Sequence, residues 1–120
     1  MEDSRIMQSM LFDFYGELLT DKQREYFDLH YNEDLSLAEI AEQSGISRQG
    51  VWDIIRRAEA TMTEIEEKTG LIRRFNERAA VLSELDEKLS ELENETEGKA
   101  KALAQEIREK LCELRIQEAT

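Results

Sequence analysis

Twenty residues, Leu37 to Arg56 (LAEIAEQSGISRQGVWDIIR), constrain this chain more tightly than any other stretch. Ser36 and Glu39 have the spacing of a capping box, in which each side chain satisfies a free backbone N–H of a helix's first turn. Leu37, Ile40 and Ala41 follow at helical spacing, and Ala41 is small where two helices must approach. Gly45 then ends the helix, because a left-handed residue after the last turn costs glycine little. Ile46 is expected to pack the turn and Ser47 to cap a second helix, whose buried face is Val51, Ile54 and Ile55. A small residue, a glycine, a hydrophobe and two further apolar positions at these offsets together spell a helix–turn–helix. In such motifs the second helix enters the major groove and presents its first residues to base edges.

Charge cuts across that expectation. The chain carries 28 acidic and 16 basic residues, a net charge of −12, whereas DNA binding draws much of its affinity from neutralised phosphates. The imbalance is uneven. Residues 1–35 hold nine acids and three bases, while between Ile46 and Ala58 the bases Arg48, Arg56 and Arg57 face only Asp53. The second helix of the motif is thus locally basic in an acidic chain. Groove insertion stays open, with binding that is weak, salt-sensitive or dependent on a dimer.

The rest of the chain reads as helix. It has no proline and only five glycines, too few turn formers for a many-stranded sheet, so the fold class is all-α. A first helix is expected from about Asp3 or Ser4 to Leu19, with Ile6, Met7, Met10, Leu11, Phe14 and Leu18 as its apolar face. Thr20 and Gln23 form a second candidate capping box opening a helix to about Tyr31, and Asn32, Glu33 and Asp34 break it. The apolar stripe of the motif's second helix runs on through Ala58, Met62 and Ile65 to a stop at Gly70. From Arg48 to Thr69 that is 22 residues, about 33 Å at 1.5 Å per residue.

Beyond Gly70, Leu71, Phe75, Ala79 (or Arg78), Leu82, Leu85, Leu89 and Leu92 recur at steps of three and four, close to a heptad. The acidic stretch Glu91 to Gly98 predicts a bend, and a last helix from about Lys99 carries Leu103, Ile107, Leu111 and Leu114. These two segments either fold back as an antiparallel hairpin or meet a second chain. The expected organisation is a helix–turn–helix domain at 1–70 with its motif at 37–56, and a helical extension at 71–120. The leucines of that extension make it the expected dimerisation region, and the chain a homodimer.

Candidate contact residues follow from position. Ser47, Arg48 and Gln49 open the second helix, where arginine pairs bidentately with guanine and glutamine with adenine. Each has a plainer reading, Ser47 as a cap and the other two as solvated surface. Arg56 and Arg57 are candidates to meet backbone phosphates, with ordinary exposed helix positions as their plainer reading. Trp52, the only tryptophan, either offers an aromatic face to a partner or folds down onto the domain. The expected DNA-binding set is Ser47, Arg48, Gln49, Trp52 and Arg56.

Catalysis finds no foothold. There is no phosphate-cradling glycine loop, no nucleophile elbow and no paired Ser and His arrangement. His30 is the only histidine and Cys112 the only cysteine, so no metal-ligand spacing exists, and neither metal nor cofactor is expected. A single cysteine forms no internal disulfide, no apolar run approaches a membrane span, and the opening MEDSR lacks a basic leader. The expected location is cytoplasmic, without membrane insertion, and Cys112 is expected to pack as a small apolar residue.

The order of features, from LLTDKQREYFDLHY (Leu18 to Tyr31) through SLAEIAEQSGISRQGVWDIIRR to GLIRRF (Gly70 to Phe75), resembles the YlxM family of small bacterial proteins. Phe14 to Arg57 is also similar to the promoter-recognition helix–turn–helix of region 4 in RNA polymerase sigma factors. The resemblance implies an all-helical cytoplasmic protein associated with the signal recognition particle pathway, since the family is typically encoded beside that particle's GTPase. Two functions are therefore expected from different sides: a regulatory DNA-binding protein linked to that pathway, or a protein- or ribonucleoprotein-binding accessory factor of the particle, meeting its GTPase or RNA, that does not bind DNA.

Overall fold

The computed structural model describes residues 2–119, with side chains described from Arg5 to Arg115. Six helices follow one another: α1 (Glu2–Tyr15), α2 (Asp21–Tyr31), α3 (Leu37–Ser44), α4 (Arg48–Thr69), α5 (Leu71–Glu95) and α6 (Lys99–Ala119), with a short 3-10 turn at Gly16–Leu18. The fold is all-α. Two packing units emerge, Met1–Ile72 and Arg73–Thr120.

In the first unit, α4 is the element on which the others pack. Its buried stripe, Val51, Ile55, Ala58 and Met62, meets Leu11 and Tyr15 of α1, Tyr26 and Phe27 of α2, and Ile40 and Ala41 of α3. Both capping boxes form: the Thr20 and Ser36 hydroxyls accept the N–H groups of Gln23 and Glu39, whose side chains accept the cap N–H in return. Gly45 and Gly70 close α3 and α4 in the left-handed conformation, with φ of 72° and 64°. Between α2 and α3, Asp34 adopts a positive φ, and the Arg5 guanidinium pairs with its carboxylate.

The first helix ends earlier than its sequence pattern suggests. Phe12 stacks on Phe27 with ring centroids 5.1 Å apart, and its ring passes 3.1 Å from where a Cβ on Gly16 would lie. The chain tightens into the 3-10 turn there, and the Arg24 guanidinium donates to the carbonyls of Gly16 and Glu17. The changed pitch turns Leu19 inward and leaves Leu18 67% exposed. The buried face of this segment is therefore Leu11, Tyr15 and Leu19, whereas Ile6, Met7 and Phe14 are exposed.

The second unit is a helical hairpin. α5 runs to Glu95, Gly98 turns the chain at φ 68°, and α6 returns. Its interface is ionic at the centre: Arg108 reaches Asp86 at 3.1 Å and Glu93 at 2.8 Å, and Gln105 donates to Glu93 at 2.8 Å. Placing Arg108 inward rotates α6, so that Ala104 and Leu111 are buried while Leu103, Ile107 and Leu114 stay half exposed. The expected single apolar face of α6 is thus split in two. Cys112, expected to pack, is exposed.

Candidate nucleic-acid interface

The site is built where α3 hands over to α4. Gly45 reverses the chain without a Cβ clash, and Ile46 spans the turn. Ile46 remains 39% exposed, so it only partly packs the turn as expected, leaning toward Gly50 rather than entering the core. The Ser47 hydroxyl accepts the Gly50 N–H at 3.0 Å and so caps α4, as its position implied. That bond uses the oxygen as acceptor and leaves its O–H free to donate outward.

Four of the five anticipated contact residues come together. Ser47, Arg48, Gln49 and Trp52 line one groove with Leu37, a concavity of about 550 Å³ at the first turns of α3 and α4. Leu37 and Trp52 make its apolar floor, while Arg48 and Gln49 are exposed at its edge. Trp52 does both of the things its sequence left open: the indole packs against the core cluster, and one part stays accessible to the groove. Arg56 lies one turn further along α4, with its guanidinium 5.7 Å from the centroid of the Trp52 ring. At that distance the ring quadrupole attracts the cation.

Two residues of this surface lie outside the expected contact set. Asp53 accepts a 3.0 Å hydrogen bond from the Gln49 amide nitrogen, so Gln49 is held by its own helix, with its carbonyl oxygen turned to other use. Leu37, noted only as a helix-packing residue, supplies half of the groove floor. The i, i+4 spacing of Gln49 and Asp53 was the signal for the first; nothing local signals the second, because it depends on how α3 crosses α4.

Electrostatically the surface is favourable to an anion. The α4 N-terminus contributes the positive end of a 22-residue helix, and between Ile46 and Ala58 the exposed Arg48, Arg56 and Arg57 stand against the one carboxylate of Asp53, the other acids of α4 following from Glu59 onward. Among the described residues no cluster of His, Cys, Asp and Glu is arranged to hold a metal ion, and the His30 ring nitrogen Nδ1 is engaged with the Leu35 carbonyl at 2.9 Å. Among the described residues no helix is long and apolar enough to cross a membrane.

Comparison with known proteins agrees with this geometry. Residues 2–112 match the model of the family described as "Putative helix-turn-helix protein, YlxM / p13 like". The chain is similar to a UPF0122 protein of Thermoanaerobacter sp. (strain X514), 49% identical over 86 residues that cover 72% of this chain and 71% of the relative. A UPF0122 protein of Halalkalibacterium halodurans is 48% identical over 87 residues, covering 72% and 80%. One from Bacillus cereus (strain AH187) is 46% identical over 97 residues, covering 81% and 88%.

Proposed function

The chain belongs to the UPF0122 family of YlxM/p13-like helix-turn-helix proteins, and from that premise we propose that it is a non-enzymatic regulatory protein that binds DNA through α4. The observation that carries this reading is the groove at the start of α4, where Ser47, Arg48, Gln49 and Trp52 converge and Arg56 stands over the Trp52 ring. In this role Arg48 and Gln49 read base edges, Ser47 and Arg56 meet phosphates, and Trp52 supplies apolar contact. The protein works in the cytoplasm, as a homodimer joined through the extension at 71–120, with no cofactor. Two weakly basic reading heads on one assembly compensate for the acidity of each.

The test is selection from a random duplex pool by the full chain. Enrichment of one sequence, lost in the Arg48→Ala, Arg56→Ala double variant, supports the reading. Equal retention of the pool by both proteins sinks it.

A second reading is favoured by the charge of the first unit, whose residues 1–72 hold 16 acids and 7 bases. Such a surface suits a basic partner. In this reading the chain is an accessory factor of the signal recognition particle, meeting its GTPase or its RNA-bound form without binding DNA. Copurification with particle components after DNase treatment is its expected mark, and an unchanged GTPase rate and particle assembly on adding the protein count against it.

A further inference from the structure

Along its exposed side α4 presents two neighbouring rows. Arg48, Trp52 and Arg56 are spaced i, i+4, i+8, and Gln49, Asp53 and Arg57 run beside them, turned by about 100° on the helix. Arg48, Gln49 and Asp53 are all exposed. The first row opens on a donor, since a guanidinium has N–H groups and no acceptor. The second row opens differently, because the Gln49 amide nitrogen Nε2 donates to Asp53 Oδ1 at 3.0 Å.

That bond decides what Gln49 shows to a partner. A glutamine ends in a carbonyl oxygen and an NH2 group, and a free one turns over to offer either. A carboxylate only accepts, so Asp53 takes the nitrogen, and turning the amide over sets oxygen against oxygen. Gln49 is held with Oε1 as the group left for a partner. An exposed acid on a helix that meets phosphates lowers affinity for every duplex. Here it also orients the side chain one turn before it.

Resting on the reading of α4 as a DNA-binding helix, we propose that Asp53 is a positioning residue that sets base specificity. By holding the Gln49 amide nitrogen it directs Oε1 at a base carrying an exocyclic amino group, adenine or cytosine. In the major groove adenine N6 and cytosine N4 donate, whereas guanine O6 and N7 and thymine O4 accept. An oriented acceptor that meets guanine or thymine leaves two acceptors facing each other, both unpaired. Adenine N7 also accepts the second hydrogen of Nε2, where cytosine offers no acceptor, so the base selected reports whether that hydrogen is used. Arg48, one residue earlier, has the opposite polarity and suits guanine. The first turn of α4 therefore sets a donor and an oriented acceptor side by side.

The test is binding of the full chain to the duplex it selects from a random pool, with each position of that duplex changed to all four bases. The position read by Gln49 is the one whose preference Gln49→Ala abolishes. There the wild type is expected to favour adenine or cytosine over guanine and thymine by about tenfold, the scale of a single mismatch. Asp53→Ala frees the amide to turn its nitrogen outward. It is expected to lose most of that preference, to leave the other positions unchanged and to bind every duplex more tightly. Asp53→Glu, which keeps an acceptor at i+4, is expected to retain the preference. Gln49→Glu combined with Asp53→Ala is expected to restore it, because a carboxylate accepts whichever way it turns.

A pair that only stabilises α4 gives a different result: Asp53→Ala melts at a lower temperature with its base preferences intact. That result overturns the proposal, as does a wild-type preference for guanine or thymine at the Gln49 position, or a selected duplex indifferent to Gln49→Ala. In each of these cases the DNA-binding reading of α4 stands. A wild type that enriches no sequence removes that reading and this inference together.

Discussion

The phenol of Tyr15 on α1 donates a 2.6 Å hydrogen bond to the carboxylate of Glu66, 51 residues away on α4. The same carboxylate oxygen accepts the backbone N–H of Ile72 at 2.9 Å, in the first turn of α5. Thr69 approaches the phenol at 2.7 Å. One acid thereby ties the first helix to the end of the long one and serves an otherwise unpaired helix N–H beyond it. Since α4 carries the candidate contact residues at its other end, this tie fixes the helix that presents them.

Removing the phenol tests that tie. Tyr15→Phe is expected to lower stability by about 1.5–3 kcal/mol in urea melts, the cost of a hydrogen bond to a charged acceptor. Burial, then the Glu66 carboxylate, raises the Tyr15 pKa above its usual value. Its contribution is therefore complete below the ordinary phenol pKa of about 10 and is lost as pH rises through the higher folded value. The gap between wild type and Tyr15→Phe should close in melts at strongly alkaline pH. A gap constant with pH contradicts the assignment.

At the turn of the motif, Gly45 holds φ 72° with nothing within 4 Å of the place a Cβ would occupy. Strain there is conformational and not steric crowding. Gly45→Ala is expected to cost about 1 kcal/mol, and Gly45→Asn less, because asparagine tolerates the left-handed region better. Equal stability of the three proteins by thermal melting would mean that the turn is made another way.

In the hairpin, hydrogen bonds from Arg108, then from Gln105, hold the Glu93 carboxyl below its usual range. A depressed acid stabilises the fold above its ordinary pKa and gives up that stability as pH falls through the depressed value. Acid titration of the helical signal should therefore show a loss below the ordinary glutamate range. Glu93→Gln should be less stable at neutral pH and should lack that part of the acid limb. An unchanged acid limb in the variant removes the ion pair from the account of the hairpin.

Local chemistry explains what could be read from the chain before its structure. The Thr20 and Ser36 boxes, the Ser47 cap and the closing glycines Gly45 and Gly70 act within four residues, so their spacing carries their meaning. The convergence of Ser47, Arg48, Gln49 and Trp52 follows from the same local geometry, because a helix start fixes which residues share its first turns. The end of α1 was hidden because it depends on Phe12 meeting Phe27, a contact between helices that no spacing within α1 reveals. The face α6 turns to α5 was hidden for a like reason. Leucine periodicity pointed to Leu103, Ile107 and Leu114, but Arg108 finds Asp86 and Glu93 together only across the hairpin, and that pairing sets the rotation.

The most direct measurement is the salt dependence of binding to the duplex selected from the random pool, for the wild type and for Arg48→Ala and Arg56→Ala separately. With Arg48 on a base and Arg56 on a phosphate, Arg48→Ala should cost about 1–3 kcal/mol and relax preference at one position. Arg56→Ala should weaken all duplexes alike and reduce the slope of log affinity against log salt by about one. Isotherms for both variants that superimpose on the wild type at every salt concentration would contradict the claim that α4 reads DNA.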